Sequence, residues 1–112
     1  MNAAPSALSG KTCVVTGANG GIGASVAEHF HELGARVLTS DLGATFAGEC
    51  PSEHAAFDLM DDSSLADACA WVEAAQPDVF VNNAAIFDMG SVLDADLAQY
   101  DRLFAVNVRA MY

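Results

Sequence analysis

The chain has 112 residues, of which 53% are hydrophobic and 17% are charged, a length and composition typical of one globular domain and not of a disordered chain. Four lysines and arginines stand against fifteen aspartates and glutamates, so the net charge is −11. We therefore expect no binding to nucleic acid and none to an anionic membrane, because their phosphates would be repelled.

The N-terminal segment, Met1–Ala7, lacks a basic region followed by an apolar run. We therefore expect no secretory signal, and no later stretch is long enough to span a bilayer. The three cysteines are odd in number and show no C-x-x-C spacing, which argues against a disulfide framework and against a zinc site. We expect a cytoplasmic protein with reduced thiols and no bound metal.

The first predicted strand, Thr12–Thr16, runs into a glycine-rich bend and then into a helix. The strand is short, β-branched and uninterrupted, as expected of a parallel strand that is covered on both faces. Gly17 can adopt backbone angles closed to other residues, while Gly21 and Gly23 have no side chain to keep a phosphate or a neighbouring strand at a distance. The helix that follows from Ile22 directs the positive end of its dipole at the bend, which favours an anion such as a pyrophosphate.

The first helix is predicted to end at Gly34, which suits a left-handed C-cap, and a second strand follows at Ala35–Ser40. That strand places Asp41 at its end, roughly 20 positions beyond the glycines, where a carboxylate can accept hydrogen bonds from the adenosine ribose and repel a 2′-phosphate. Asp41 therefore favours NAD over NADP. A helix-capping or solvated loop aspartate is the alternative interpretation.

The run Thr16-Gly17-Ala18-Asn19-Gly20-Gly21-Ile22-Gly23 resembles the fingerprint of the short-chain dehydrogenase/reductase family. The resemblance implies an α/β fold, a Rossmann-type doubly wound parallel sheet with strand order 3-2-1-4, truncated before the fifth strand. It also implies that residues 1–112 form a single dinucleotide-binding domain, the N-terminal portion of a family member. A glycine-rich connection with no ligand is the alternative.

The resemblance assigns cofactor contacts around the bend and beyond the second strand. Gly20 and Leu42 occupy places where relatives that use NADP often carry arginine or lysine, which again favours NAD. The cofactor-binding residues implied in this part of the chain are Gly17, Asn19, Gly20, Gly21, Ile22, Gly23, Asp41 and Leu42.

A third strand is predicted at His54–Phe57 and is followed by Asp58 and Leu59. This pair is similar to the aspartate and apolar residue that meet the adenine in the family, so Asp58 is expected to accept from the adenine amino group. Asp61 and Asp62 come next. We expect solvated carboxylates there rather than a metal site.

A second helix is predicted to begin with a capping box at Ser64–Asp67 and to end before Pro77. The fourth strand, Asp78–Val81, leads into Asn82-Asn83-Ala84-Ala85. This run is similar to the family's Asn-Asn-Ala-Gly, in which asparagines tie neighbouring strands together and small residues let the cofactor approach. The resemblance implies that Asn83, Ala84 and Ala85 line the cofactor cleft, although Ala85 replaces the family's glycine, and that Asn82 is structural.

A long amphipathic helix is predicted last, and Asn107 lies within it. Its apolar stripe consists of Leu93, Leu97, Tyr100, Leu103, Phe104 and Val108. Asn107 matches the family's helix asparagine, which helps to hold a water in the proton relay, and is therefore the only candidate catalytic residue here. A bridge between backbone groups is an equal alternative.

The resemblance implies an NAD-dependent oxidoreductase that exchanges a hydride between the nicotinamide and a small-molecule secondary alcohol or carbonyl. The family's tyrosine, with a lysine four residues later, cannot be assigned, because Phe104 stands four positions after Tyr100 and the sole lysine is Lys11. We therefore expect the 112-residue chain alone to be inactive. The run Asn82–Asp88 is similar to polyol and sugar-alcohol dehydrogenases.

The fourth strand would leave an open sheet edge, which predicts either a homo-oligomer or marginal stability. Two other functional classes remain open at this point. The chain could be a non-catalytic dinucleotide-binding module or remnant, since it lacks the tyrosine and lysine pair, or a purely structural fragment that binds no nucleotide.

Overall fold

Four parallel strands form a single sheet in a computed structural model that describes residues 6–87, 90–91 and 93–112. Met1–Pro5 of the N-terminal segment and Asp88 of the run Asn82–Asp88 lie outside those residues. The strands are β1 (Thr12–Thr16), β2 (Arg36–Asp41), β3 (Glu53–Ala56) and β4 (Val79–Val81). Their order is β3-β2-β1-β4, and every neighbouring pair is parallel, which confirms the predicted Rossmann-type sheet.

Among the described residues, three helices accompany the sheet. They are α1 (Gly21–Glu32), α2 (Asp62–Ala75) and α3 (Leu97–Phe104), and α3 continues directly into a π-helical segment over Ala105–Arg109. Gly34 follows α1 with φ +93°, so this helix ends in the left-handed conformation that the sequence predicts. In the part of the chain that the structure describes, no helix combines the length and the apolarity needed to cross a membrane.

The core lies on the two central strands, whose middle residues are buried on both faces of the sheet. Cys13 and Val15 pack in one cluster with Ala27 of α1, and Val14 and Leu38 are fully or almost fully buried on neighbouring strands. Burial of one such leucine stabilises the fold by about 1.5–3 kcal/mol. Burial, and secondarily the charge of Asp78, raises the pKa of the Cys13 thiol.

The start of α2 differs from the predicted capping box. Asp61 is the N-cap, because its side chain accepts a hydrogen bond from the backbone N–H of Ser64 at 2.8 Å. The Ser64 hydroxyl instead accepts from the backbone N–H of Asp58 at 2.8 Å. A carboxylate caps a helix as well as a hydroxyl does, so the helix begins three residues before the predicted position.

The last helix, in contrast, begins later in the chain than its apolar stripe predicts. Leu93 lies in a turn, and α3 starts at Leu97 with Asp96 as its N-cap, which accepts from the backbone N–H of Gln99 at 2.7 Å. The other stripe residues stay within α3 and the π segment. Apart from the half-buried Leu103, their side chains are largely exposed, with Leu97 at 78% and Tyr100 at 54%.

An exposed ion pair joins β2 to β3. Arg36 donates from its Nε and one terminal nitrogen to the two carboxylate oxygens of Glu53, at 2.5 and 2.7 Å. The hydrogen bond from Arg36 is the main reason that the pKa of Glu53 lies below its ordinary value. Because both side chains are more than half exposed, the pair contributes less than about 1 kcal/mol.

We predict that Glu53→Gln lowers the free energy of unfolding by less than about 1 kcal/mol at neutral pH. A carboxylate with a lowered folded pKa stabilises the protein above its unfolded pKa of about 4.3, and this contribution is lost as the pH falls through the folded value. Urea unfolding should therefore show a larger difference at pH 7 than at about pH 3. Glu73→Gln on the exposed side of α2 is the control, and an equal loss at both pH values would contradict the assignment.

Candidate functional site

The glycine-rich bend after β1 is shaped by close backbone contacts. Gly17 has φ +63°, and a Cβ atom there would lie 2.8 Å from the Ala84 Cα. A Cβ on Gly23 would lie 2.3 Å from the Gly17 carbonyl oxygen and 2.7 Å from the Asn83 Nδ2. All three distances are too short for a Cβ atom, so these two glycines let the bend pack against the segment that follows β4.

Gly21 is different, because a Cβ there would meet nothing within 4 Å. It is the first residue of α1, whose N-cap, Gly20, forms no side-chain cap. Gly21 and the largely exposed Ile22 therefore leave the helix N-terminus, with its unpaired amide hydrogens, open to an approaching anion. The sequence left open whether the glycines serve a ligand or a neighbouring strand. The structure favours a packing role for Gly23 and open access at Gly21.

Asp41 ends β2 beside the bend and is half-buried. Its Oδ2 accepts from the backbone N–H of Asn19 at 2.9 Å, and its Oδ1 accepts from the backbone N–H of Leu42 at 2.7 Å. The sequence left a helix-capping or solvated loop aspartate as the alternative, but Asp41 caps no helix and instead holds the backbone of the bend and of the loop after β2. A carboxylate has about four acceptor positions, so two remain for hydroxyl groups.

A cleft of 160 Å³ opens at the carboxyl ends of the strands. Five separate segments of the chain meet there, and no lysine or arginine is among the lining residues that the structure describes. Its lining consists of Gly17, Ser40, Asp41, Leu42, Phe57, Asp58, Leu59, Met60, Ala84, Ala85, Ile86 and Val106. Seven residues predicted from the sequence to contact a cofactor are therefore brought together, namely Gly17, Asp41, Leu42, Asp58, Leu59, Ala84 and Ala85.

An apolar cavity of 280 Å³ lies next to the cleft and shares several wall residues with it. The shared walls are Ser40, Phe57, Leu59, Ala84 and Val106. Val106 belongs to the π segment and is buried. Its place in the wall could not be told from the sequence, because Val106 looks like any other apolar residue of the last helix.

Asn83 does not line the cleft but ties β4 to β1. Its Nδ2 donates to the carbonyl oxygens of Thr16 and Gly17, both at 3.1 Å. The Thr16 hydroxyl accepts from the backbone N–H groups of Asn83 and Ala84, at 3.1 and 3.0 Å. Asn82 is exposed and lies in the wall of the larger cavity, so Asn83 rather than Asn82 forms the tie between strands. Thr16, predicted only as a strand residue, is the centre of this junction.

Three carboxylates that are close in sequence have three separate partners. Asp58 accepts from the backbone N–H of Met60 at 3.0 Å, which forms a turn at the edge of the cleft. Asp61 caps α2, and Asp62 accepts from Arg109 at 2.7 Å. The hydrogen bond from Arg109 lowers the pKa of Asp62. The three carboxylate groups therefore do not converge on one point.

Asn107 lies in the π segment and holds the backbone of Ile86 from both sides. Its Oδ1 accepts from the Ile86 N–H at 2.8 Å, and its Nδ2 donates to the Ile86 carbonyl oxygen at 2.7 Å. The backbone bridge that the sequence allowed is therefore present. π-helical turns occur often at functional sites, and this one places both Asn107 and Val106 against the segment after β4.

The side chain of Asn19 is turned away from the cleft toward the loop after β2, to which both of its amide atoms are bonded. Only its backbone N–H contacts Asp41. Gly20, Gly21 and Ile22 are exposed at the bend, outside the lining of the cleft. Most of the predicted site residues thus lie either at the helix N-terminus or in the cleft, whereas the side chains of Asn19, Asn83 and Asn107 bind the backbone of neighbouring segments.

The chain resembles known proteins over almost its whole length. The sequence pattern of the family described as short chain dehydrogenase matches residues 11–112. A sorbitol dehydrogenase of Cereibacter sphaeroides is 39% identical over 113 residues, which cover 90% of this chain and 43% of that protein. The chain therefore spans less than half the length of this relative.

Two solved structures show the same fold. A short chain dehydrogenase/reductase family protein superposes with a TM-score of 0.82 at 34% identity, covering 94% of this chain and 46% of that one. A metagenomic short-chain oxidoreductase in complex with NADP superposes with a TM-score of 0.73 at 34% identity, covering 92% and 52%.

We predict that Gly23→Ala mainly lowers stability and that Gly21→Ala mainly weakens ligand binding. Gly23→Ala should lower the free energy of unfolding by about 3 kcal/mol, because its methyl group would overlap backbone atoms. Gly21→Ala should change it by less than about 1 kcal/mol, yet weaken the binding of a dinucleotide about tenfold by blocking the helix N-terminus. Denaturant unfolding and calorimetric titration measure the two effects. Equal destabilisation by both substitutions would contradict the separation of roles.

We also predict that Asn107→Ala destabilises the chain by about 1–3 kcal/mol, because the part-buried N–H and carbonyl of Ile86 lose their partners. Hydrogen exchange at the Ile86 amide should accelerate. Val108→Ala, an exposed truncation on the same segment, is the control and should leave that exchange rate unchanged. Retained protection of Ile86 in the Asn107 variant would show that the bridge is dispensable.

Proposed function

The chain belongs to the short-chain dehydrogenase/reductase family, and from that membership we propose that it binds the adenosine and pyrophosphate of a nicotinamide dinucleotide. The observation that carries the proposal is the cleft, in which Asp41, Asp58, Leu59 and Ala84 meet beside the open N-terminus of α1. Carboxyl ends of parallel strands are where such folds bind their ligands. The resemblance drawn from the glycine fingerprint is confirmed by the family match.

Each part of a dinucleotide has a suitable group in this arrangement. The N-terminus of α1 at Gly21 would hold the pyrophosphate, because it offers amide hydrogens with no side chain in the way. The two unoccupied acceptor positions of Asp41 would bind the ribose hydroxyls. Leu59 would cover the adenine while Asp58 accepts from its amino group, and Ala84 and Ala85 are small enough for close approach.

We propose NAD rather than NADP as the cofactor. A 2′-phosphate would lie against the Asp41 carboxylate, and both Gly20 and Leu42, where a cation could have compensated, are uncharged. One structural relative is in complex with NADP, so the preference depends on these local charges and not on the fold. Asp41 is the residue that would set it.

We propose that the complete protein is an NAD-dependent oxidoreductase that interconverts a secondary alcohol and a carbonyl on a small molecule. The bound nicotinamide would accept or donate the hydride. Similarity to a sorbitol dehydrogenase and the run Asn82–Asp88 favour a polyol or sugar alcohol as substrate. Asn107 would contribute by fixing Ile86 beside the cleft, while the 112-residue chain alone is proposed to be inactive.

We also propose self-association of the protein in the cytoplasm. The exposed apolar side chains of Leu97, Tyr100, Phe104 and Val108 on α3 and the π segment support an interface between copies. The rings of Tyr100 and Phe104 pack together with centroids 4.5 Å apart, so this surface has a defined shape.

Two measurements test the proposal together. The first is the intact mass of the protein as its source cells produce it, and the second is calorimetric titration of the chain with NAD. Binding of NAD by the chain supports the assignment of the cleft. Hydride exchange with a panel of polyols, catalysed by the protein from its source cells, would establish the activity. Tight binding without any turnover would instead favour a non-catalytic dinucleotide module, and no binding would overturn the proposal.

We predict that Asp41→Ala weakens NAD binding and reduces the discrimination against NADP. Asp41→Asn should reduce the discrimination more than the NAD affinity, because it removes the charge but keeps one acceptor oxygen. A charged hydrogen bond contributes about 1.5–3 kcal/mol, so the loss in the alanine variant should be roughly tenfold to a hundredfold. Asp67→Asn, on the exposed side of α2, is the control. Unchanged affinity for both dinucleotides would remove Asp41 from the site.

A further inference from the structure

The loop between β2 and β3, residues 42–52, has no helix or strand and begins directly after Asp41. A loop of this kind is ordinarily held only at its ends. Here, side chains from the glycine bend, α1 and β3 bind its backbone at several points. Its attachment is therefore more extensive than a connection between two strands requires.

Asn19 is the first of these attachments. Its Nδ2 donates to the Thr45 carbonyl oxygen at 3.0 Å, and its Oδ1 accepts from the Ala47 N–H at 2.7 Å. A Cβ on Gly43 would lie 3.4 Å from the same Nδ2, so the loop backbone also packs on this side chain. The backbone N–H of Asn19 donates to Asp41. One residue therefore binds both the loop and the aspartate.

His54 is the second attachment and lies on β3. Its Nε2 is 2.9 Å from the Gly43 carbonyl oxygen, which can only accept, so this nitrogen carries the hydrogen. In the neutral ring, Nδ1 then accepts from the hydroxyl of Thr39 at 2.8 Å. Thr39 is fully buried and is also bonded to the Ser52 hydroxyl at 2.8 Å. The ring thus joins the buried part of β2 to the first turn of the loop.

Packing and a further hydrogen bond complete the attachment. The ring of Phe46 stacks on His54 with centroids 6.2 Å apart and an interplanar angle of 27°. A Cβ on Gly48 would lie 2.1 Å from the Phe46 Cζ, so the ring covers the loop backbone itself. At the far end, Glu28 of α1 accepts from the Glu49 N–H at 3.0 Å.

We propose that Asn19 and His54 are positioning residues that hold Asp41 at the ribose site and thereby set the preference for NAD over NADP. This inference rests on the proposed function. The two oxygens of Asp41 are bonded to the N–H groups of Asn19 and Leu42. The Asn19 side chain is bonded to the loop that Leu42 begins, at Thr45 and Ala47. His54 holds the same loop at Gly43, two residues after Asp41. A carboxylate fixed in this way cannot turn aside for a 2′-phosphate, whereas a released loop would let it do so.

The test compares Asn19→Ala and His54→Ala with the unsubstituted chain by calorimetric titration with NAD and with NADP. Each variant should bind NAD about three- to tenfold more weakly, and the ratio of the NADP and NAD dissociation constants should fall. Hydrogen exchange at the Ala47 amide should accelerate in Asn19→Ala, because its acceptor is removed. His31→Ala, an exposed histidine on α1, is the matched control.

His54→Gln and His54→Asn keep the test decisive if an alanine variant unfolds. A glutamine amide extends to the position of Nε2 and can donate to Gly43, whereas an asparagine amide reaches only the position of Nδ1 and the Thr39 hydroxyl. The proposal predicts that His54→Gln retains the preference for NAD and that His54→Asn loses it. Melting temperatures measured alongside report any loss of the fold.

Three outcomes would overturn the proposal. An unchanged ratio of the two dissociation constants, even with lower melting temperatures, would mean that both residues only stabilise the fold. Equal behaviour of His54→Gln and His54→Asn would exclude the contact with Gly43 as the cause. Failure of the unsubstituted chain to bind either dinucleotide would overturn the proposed function and this inference with it. This outcome differs from the other two because it is seen without any substitution.

Discussion

The close contact between the glycine bend and the segment after β4 is the constraint on which the rest of the site depends. Gly17 and Gly23 lie so near Ala84 and Asn83 that neither could carry a side chain. The contact is stabilised by the Thr16 hydroxyl and the Asn83 amide, which between them satisfy backbone groups of both segments. Because β1 and β4 are neighbours in a parallel sheet, their carboxyl ends lie side by side. The junction between them fixes the distance from the N-terminus of α1 to Ala84 in the wall of the cleft.

The cleft itself follows from the order of the strands. β1 is central, so the bend lies between Asp41 at the end of β2 and Ala84 after β4. The segment after β3 then supplies Asp58 and Leu59 from the outer side. A parallel arrangement is required for this, since in an antiparallel sheet half of these strand ends would lie at the opposite edge. In the residues that the structure describes, the same order leaves β4 at the edge of the sheet, with Phe80 part-exposed.

Local patterns predicted the strands, while the order of the strands and most of the predicted site residues came from the resemblance to the family. β1 has the predicted bounds, the sheet order is as expected, and seven predicted cofactor residues line one cleft. The start of α2 was predicted wrongly, since Asp61 and Ser64 are both good N-caps and only the fold decides between them. The pairing of Arg109 with Asp62, and the place of Val106 in the cleft wall, join residues far apart in sequence. No local pattern marks such partners.

Three asparagines show why irregular segments can form a precise site. Asn19, Asn83 and Asn107 each use the side-chain amide as a substitute for a peptide group, donating to one or more carbonyl oxygens, and Asn19 and Asn107 also accept from a backbone N–H. Asn19 and Asn107 hold residues that belong to no strand or helix, and Asn83 holds the point where β1 ends, so these backbone groups would otherwise need water. An asparagine amide offers a donor and an acceptor in nearly the geometry of the backbone itself. Much of the cleft is therefore formed by loops, which hydrogen bonds hold to each other and to the neighbouring strands and helix.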